Sequence, residues 1–165
     1  MILEAEAGDF QALIAGRPPR GLVLPEDEVA PLATLEMLSA LAVKVRAAFA
    51  PAAWLLVEQG EVVGLCSIMG APTPEGVIEI GYGVAPCRQN RGAAGRAVAD
   101  VVAWASSDAR IAALTANTAT ANLFSQRTLE RNGFRKVGAR VDKEDGLLIC
   151  WRIETGDPPG AGARR

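Results

Sequence analysis

From Glu26 to Ala50 apolar residues recur at spacings of three and four, at Leu32, Leu35, Leu38, Leu41, Val45 and Phe49. That period predicts a helical stretch with one apolar face, which Pro31 is expected to divide into two short helices. Before it, MILEAEA at residues 1–7 reads as a short strand and GRPPRGLVLP at 16–25 as a break. After it the pattern changes. Ala52–Glu58 (AAWLLVE) and Glu61–Met69 (EVVGLCSIM) predict two strands joined by a tight turn at Gln59-Gly60. Val77–Val84 (VIEIGYGV) predicts a third strand, completing an antiparallel meander.

Beyond Pro86 the helical period returns over Ala93–Ala105. Arg110–Thr115 (RIAALT) predicts a strand and Ala121–Arg131 a short helix. Asn132-Gly133 followed by Phe134 suits a left-handed C-cap with its apolar contact. Strands near Arg135–Val141 and Leu147–Ile153 flank DKEDG and predict a closing hairpin. The order is strand, helices, three strands, helix, strand, helix, two strands. It predicts an α+β fold, a mixed sheet with helices on its faces. Residues 1–153 are expected to form one domain, and the Pro/Gly-rich residues 154–165 a tail that frays.

Composition narrows the class. A chain of 165 residues, 50% hydrophobic with 22% charged, has the length for one ordinary core and excludes wholesale disorder. No apolar run approaches the roughly 18 residues of a membrane span, and the acidic N-terminus does not read as a secretory signal. A cytoplasmic protein without a membrane partner is the expectation. There is no histidine, which excludes Ser-His-Asp and Cys-His nucleophilic systems in their usual forms and any imidazole zinc site. The cysteines, Cys66, Cys87 and Cys150, show no metal or disulfide spacing and read as small hydrophobes; no metal is expected.

Charge is distributed unevenly. Residues 1–87 carry 4 basic and 11 acidic groups, while residues 88–140 carry 9 basic and 3 acidic, a local excess of six positive charges. Such a segment suits an anionic ligand. A pI near 5.3 and sparse aromatics speak against nucleic acid. The basic segment opens where VIEIGYGV runs into APCRQNRGAAGRAV, a glycine-bearing turn at a helix start, with Arg88, Arg91 and Arg96 around it. A helix N-terminus offers unpaired N–H groups and the positive end of its dipole, a natural phosphate site. The spacing is neither a Walker P-loop nor a dinucleotide fingerprint.

Gln89-Asn90-Arg91-Gly92-Ala93-Ala94 fits the [QR]-x-x-G-x-[GA] signature, and with Asn122-Leu123-Phe124-Ser125 about 30 residues on it resembles the GNAT superfamily of N-acetyltransferases. IEIGYGV is similar to the corresponding strand of the ribosomal-protein-alanine N-acetyltransferase branch. The resemblance covers about residues 53–153. It implies a mostly antiparallel sheet of seven strands, splayed between the fourth and fifth, with acetyl-CoA as donor. Backbone N–H groups of the loop, through Gln89, Asn90, Arg91, Gly92, Ala93, Ala94 and Gly95, would hold the pyrophosphate, and backbone near Tyr82 and Val84 the pantetheine arm. Asn122 would meet that arm, and Ser125 would hydrogen-bond the leaving thiolate. The glycines Gly81 and Gly83 suit a strand that another chain-like ligand passes closely.

Glu79 is the acid inside an otherwise apolar strand, placed to take the amine proton directly or through water. The N–H near Gly81-Tyr82 is the candidate oxyanion donor. Tyr82, the sole tyrosine, is the sole phenolic acid candidate, although alternation puts it opposite Glu79. Cys87 has no evident base beside it in sequence, so direct attack in a ternary complex is favoured over an acyl-cysteine. The acceptor is read as a primary amine, on a small molecule or a protein N-terminus, with Glu26, Asp27, Glu28 and Glu36 as a candidate acidic wall. The resemblance leaves assembly open, a homodimer being common in the family. The alternatives are a non-catalytic acyl-CoA-binding or regulatory module of the same fold and an unrelated nucleotide-binding domain.

Overall fold

In the computed structural model, which describes residues 1–156, the tight turn expected at Gln59-Gly60 takes positive φ at both residues, 50° and 79°. That twist matches a two-residue hairpin, and the turn joins β2 (Ala53–Glu58) to β3 (Glu61–Ile68) in antiparallel register, Ala53 opposite Ser67 and Glu58 opposite Glu61. β1 (Ile2–Glu4) pairs antiparallel with β2 on its other side. β4 is Val77–Val84, β5 Ala113–Ala119, β6 Arg135–Asp142 and β7 Gly146–Glu154. The seven-stranded sheet has the order β1-β2-β3-β4-β5-β7-β6 and is open and mostly antiparallel. Its parallel ladder joins β4 to β5 and covers only Val77–Glu79 against Ala113–Thr115.

The described residues divide into two compact units. The first comprises Met1–Ala71 and Gly81–Ala97, the second Pro72–Ile80 with the described residues from Val98 onward. In the first, β1 leads directly into α1 (Ala7–Ile14), a helix absent from the sequence-based reading. Asp9 accepts from the Glu6 N–H at 2.7 Å and receives the Arg20 guanidinium on both oxygens, so this buried carboxylate is paired. Residues 26–50 hold one helix, α2 (Leu32–Arg46), where two were expected. Pro31 stands at its N-cap, since a proline is tolerated where no intrahelical N–H is needed, and Glu26–Ala30 stays non-helical. Phe10, Leu35, Val45, Leu55 and Val62 are buried in this unit.

In the second unit, β5 pairs antiparallel with β7 over its whole length, Ala113 opposite Glu154 and Ala119 opposite Leu148. β5 begins three residues later than RIAALT suggested, because Arg110 turns on Asp108 and Ile111 is tucked into the interior. α3 (Ala93–Ser107) starts in the first unit and ends in the second; α4 is Leu123–Arg131. At the end of α4 the Gly133 N–H donates to the Glu130 carbonyl and the Phe134 N–H to that of Leu129, both at 3.1 Å, with Gly133 at φ 86°. This is the expected left-handed cap, the two-bond Schellman form. Trp151 is buried and donates from Nε1 to Thr118 Oγ1 at 2.9 Å. Glu154 closes β7 and the Thr155 N–H donates to the Ala112 carbonyl; the rest of the expected tail, from residue 157, lies outside the described residues. Among the described residues no helix is long and apolar enough to cross a membrane.

Candidate functional site

The glycine-bearing turn is built by two left-handed residues. Asn90 has φ 60° and Gly92 φ 78°, and the Arg96 N–H donates to the Gly92 carbonyl as α3 begins. Asn90, Arg91 and Gly92 are exposed, Ala93 and Ala94 are buried, and Gly95 is half-buried. A succession of first-turn N–H groups at the head of a 15-residue helix is an anion-binding arrangement. Gln89 turns its side chain back, its Nε2 donating to the Val84 carbonyl at 3.0 Å, and so ties the loop to the end of β4.

The three arginines around the loop differ in what they offer. Arg88 forks onto both oxygens of Glu61 at 2.6 and 2.9 Å, and Arg96 onto Glu58 at 2.7 and 3.1 Å. Each pairing holds the guanidinium more firmly protonated, and Arg96 holds the Glu58 carboxyl below its usual range. The positive excess of residues 88–140 is therefore partly cancelled at this loop by acids of the β2–β3 hairpin. Arg88 and Arg96 thus stand at the loop already paired, which the sequence did not disclose. Arg88, Arg91, Arg96, Glu58 and Glu61 together line a hollow of about 610 Å³.

A second cavity in the same unit, of about 600 Å³, is bounded by Gly81, Tyr82, Gly83 and Val84 of β4. Leu65, Ser67 and Met69 face it from β3 and the residue after it. The remaining wall comes from Asp27–Pro31, from Thr34 and Leu38 of α2, and from Pro86 and Gln89. Tyr82, Val84 and Gln89 thus share one cavity. Gly83 has open space where a Cβ would stand, whereas a Cβ on Gly81 would meet Met69 Sδ at 2.9 Å. Gly64 is required for a different reason: a Cβ there would fall 2.2 Å from the Gly83 carbonyl oxygen.

Cys87 has a partner that the sequence did not disclose. Its Sγ donates to Asp27 Oδ1 at 2.7 Å and its N–H to Oδ2 at 2.8 Å. These bonds, the thiol first, hold the Asp27 carboxyl below the usual range. A carboxylate so stabilised is a weakened base toward that thiol. Of the candidate acidic wall, Asp27 and Glu28 line the cavity, while Glu36 is exposed on α2.

In the second unit Glu79 is half-buried between the buried Ile78 and Ile80. Asn117 of β5 donates from Nδ2 to Glu79 Oε1 at 2.9 Å, an orienting contact absent from the sequence-based reading. Asn122 and Ser125 are brought together at the start of α4, where Asn122 Oδ1 caps the Ser125 N–H at 3.1 Å. Ser125 is half-buried. Among the described residues no group of three or more Cys, Asp or Glu side chains is arranged to hold a metal ion.

The sequence matches the acetyltransferase (GNAT) domain family over residues 10–135. A curated relative, the uncharacterized N-acetyltransferase YjdG of Bacillus subtilis (strain 168), is 34% identical over 83 residues, 49% of this chain and 49% of that protein. The match therefore spans about half the length of that relative. Among solved structures, the acetyltransferase of GNAT family from Streptococcus pneumoniae superposes with a TM-score of 0.69 at 17% identity, over 94% of this chain and 99% of that one. The RimL ribosomal L7/L12 alpha-N-protein acetyltransferase in complex with coenzyme A gives 0.68 at 16% identity, over 93% and 92%. At such identities the structural likeness bears on the fold.

Proposed function

Because the chain belongs to the acetyltransferase (GNAT) domain family, we propose that it transfers an acetyl group from acetyl-CoA to a primary amine by direct attack in a ternary complex. The observation that carries the reading is the loop before α3, where Asn90 and Gly92 take left-handed conformations and lead into a helix N-terminus. A pyrophosphate needs that combination: close backbone approach, several N–H donors and a positive dipole end. The residues fit the group on a further count, since Gly83 leaves room beside β4 for a chain-like arm.

In this proposal Gln89 to Gly95 hold the pyrophosphate, the backbone near Tyr82 and Val84 pairs with the pantetheine arm, and Asn122 meets that arm. Acetyl-CoA supplies the acetyl group as a thioester, whose C–S bond breaks as the new N–C bond forms. Glu79 takes the proton of the attacking nitrogen, directly or through water, and Asn117 fixes the orientation of its carboxylate. Ser125 hydrogen-bonds the departing sulfur, which leaves as the thiolate and takes up a proton from water to give the thiol. The Gly81-Tyr82 N–H groups are assigned to the carbonyl oxygen as it gains charge. Residues 1–153, with Glu154 closing β7, act as one domain, in the cytoplasm and without a nucleic-acid or membrane partner. A homodimer belongs to the same proposal, and sedimentation tests it.

Thiol release from acetyl-CoA over a panel of amines tests the activity, with calorimetric titration of acetyl-CoA beside it. Binding with turnover on at least one amine is expected. Binding without turnover on any amine makes the chain an acyl-CoA-binding module, and preference for ATP over CoA rejects the reading.

A further inference from the structure

The 600 Å³ cavity contains one buried polar group with nothing to bond. Ser67 is 3% exposed, and its Oγ has no hydrogen-bond partner among the described residues. It lies on β3 between Leu65 and Met69, which line the same cavity, while the alternate residues Cys66 and Ile68 are buried on the other side. A buried hydroxyl left without a partner is destabilising, and buried polar groups in native proteins almost always have one. An orphan hydroxyl in the wall of a cavity is what a site looks like when the missing partner belongs to a ligand.

The rest of the wall says what kind of ligand that is. Val29, Pro31, Leu38, Leu65, Met69 and Val84 make most of it apolar. Its acidic residues are Asp27 and Glu28. Both Asp27 oxygens accept from the neutral Cys87 thiol and N–H, so that carboxylate keeps its charge beside the exposed Glu28, and these two are the anions that can meet a cation. A ligand with three or more ammonium groups would set the rest against hydrocarbon, at a cost the walls do not offset.

Resting on the proposed acetyl transfer, we infer that the acceptor is a primary amine on an uncharged apolar body that carries one hydrogen-bonding group next to the amine, received by Ser67 Oγ. An N-terminal leucine-like residue and a free small amine share this chemistry. Polyamines and aminoglycosides do not.

The test uses the full chain and its Ser67→Ala variant with acetyl-CoA and four acceptors: leucinamide, 3-methylbutylamine, a Leu-initiated hexapeptide and spermidine. The first two share a body and differ in the carboxamide. Comparing the two proteins on one amine cancels the amine's own acidity. Ser67→Ala is expected to lower kcat/KM for leucinamide by about threefold to tenfold, to leave 3-methylbutylamine unchanged and to leave the melting temperature unchanged or higher. Spermidine is expected to react at least about tenfold more slowly than leucinamide, as a mismatch of buried charge predicts. Leucinamide without the hexapeptide points to a free small amine, and both together point to a peptide N-terminus. Spermidine as the best acceptor, or an equal effect of Ser67→Ala on all amines, overturns the inference while the proposed activity stands. If no amine turns over, calorimetry separates the two: leucinamide binding weakened by Ser67→Ala supports this inference and rejects the activity, and its absence rejects both.

Discussion

Asn117 on β5 donates to Glu79 Oε1 on β4 at 2.9 Å, two residues beyond the last pair of their short parallel ladder on the β5 side. The contact fixes one oxygen of a half-buried carboxylate and leaves the other for a proton. Glu79→Gln keeps the shape and removes the proposed base. Turnover is expected to fall by about 10²–10⁴-fold, with acetyl-CoA affinity held. The deficit should narrow as pH rises, because more of the amine is then already neutral. Asn117→Ala should shift the pH profile of kcat with a smaller loss, and Ser125→Ala should lower turnover by less than Glu79→Gln. Steady-state kinetics from pH 6 to 10 read all three; a fully active Glu79→Gln removes this carboxylate from the chemistry.

Gly92 holds φ 78°, and a Cβ there would stand 2.8 Å from an Arg96 guanidinium nitrogen. The arginine can move, but a β-branched residue in that backbone region is strained by about 1–3 kcal/mol. Gly92→Val is therefore expected to rearrange the loop and raise the acetyl-CoA Kd by roughly tenfold or more. Calorimetry checks it, and an unchanged Kd would place the pyrophosphate elsewhere.

The Cys87 thiol beside Asp27 holds that carboxyl below its usual range. A carboxyl lowered on folding stabilises the native state above its unfolded value, near 3.9, and that contribution is lost as pH falls through the folded value. Cys87→Ala removes the largest cause of the lowering. The variant should be less stable than the parent at pH 6, with the gap closing toward pH 3 in thermal melts. Its turnover should survive; an inactive Cys87→Ser beside an active Glu79→Gln would instead point to an acyl-cysteine.

Burial pushes the Cys66 thiol up to about 12, whereas the unfolded thiol ionises near 8.5. Ionisation therefore favours the unfolded chain across that window, and stability present below pH 8.5 is lost progressively above it. Cys66→Val should flatten the alkaline decline expected between pH 9 and 11, as thermal melts would read. In the native protein a thiol reagent should reach the half-buried Cys87 and Cys150 well before Cys66; equal rates at all three would contradict the burial.

The β2–β3 hairpin, β4 and the α4 cap were legible because their signals are local: a Gln-Gly turn between apolar runs, an alternating Ile-Glu-Ile, an Asn-Gly-Phe end. α1 was not, because eight residues beginning Ala-Gly-Asp carry little periodicity and their helix is held by Asp9 pairing with Arg20 from a later turn. β5 was misplaced because ANTA has weak strand character, and its position is dictated by pairing with β7. The loop residues 89–95 of the candidate site came from the resemblance of Gln89–Ala94 to a family signature. The partners of Glu79, Cys87, Arg88 and Arg96 could not be read from the sequence, since each lies 27 to 60 residues away in it.

On β3 the residues that line the 600 Å³ cavity alternate with the buried Cys66 and Ile68. The strand therefore has two faces that can drift at different speeds. Exchanges at Leu65, Ser67 or Met69 retune the cavity wall, the acceptor wall of the proposal, while Cys66 and Ile68 keep the interior filled. Gly64, one residue earlier, is the fixed point, because any side chain would strike the Gly83 carbonyl. A directed-evolution library aimed at new amines would randomise those three positions and leave the glycine alone, so that new specificities arise in a scaffold that still folds.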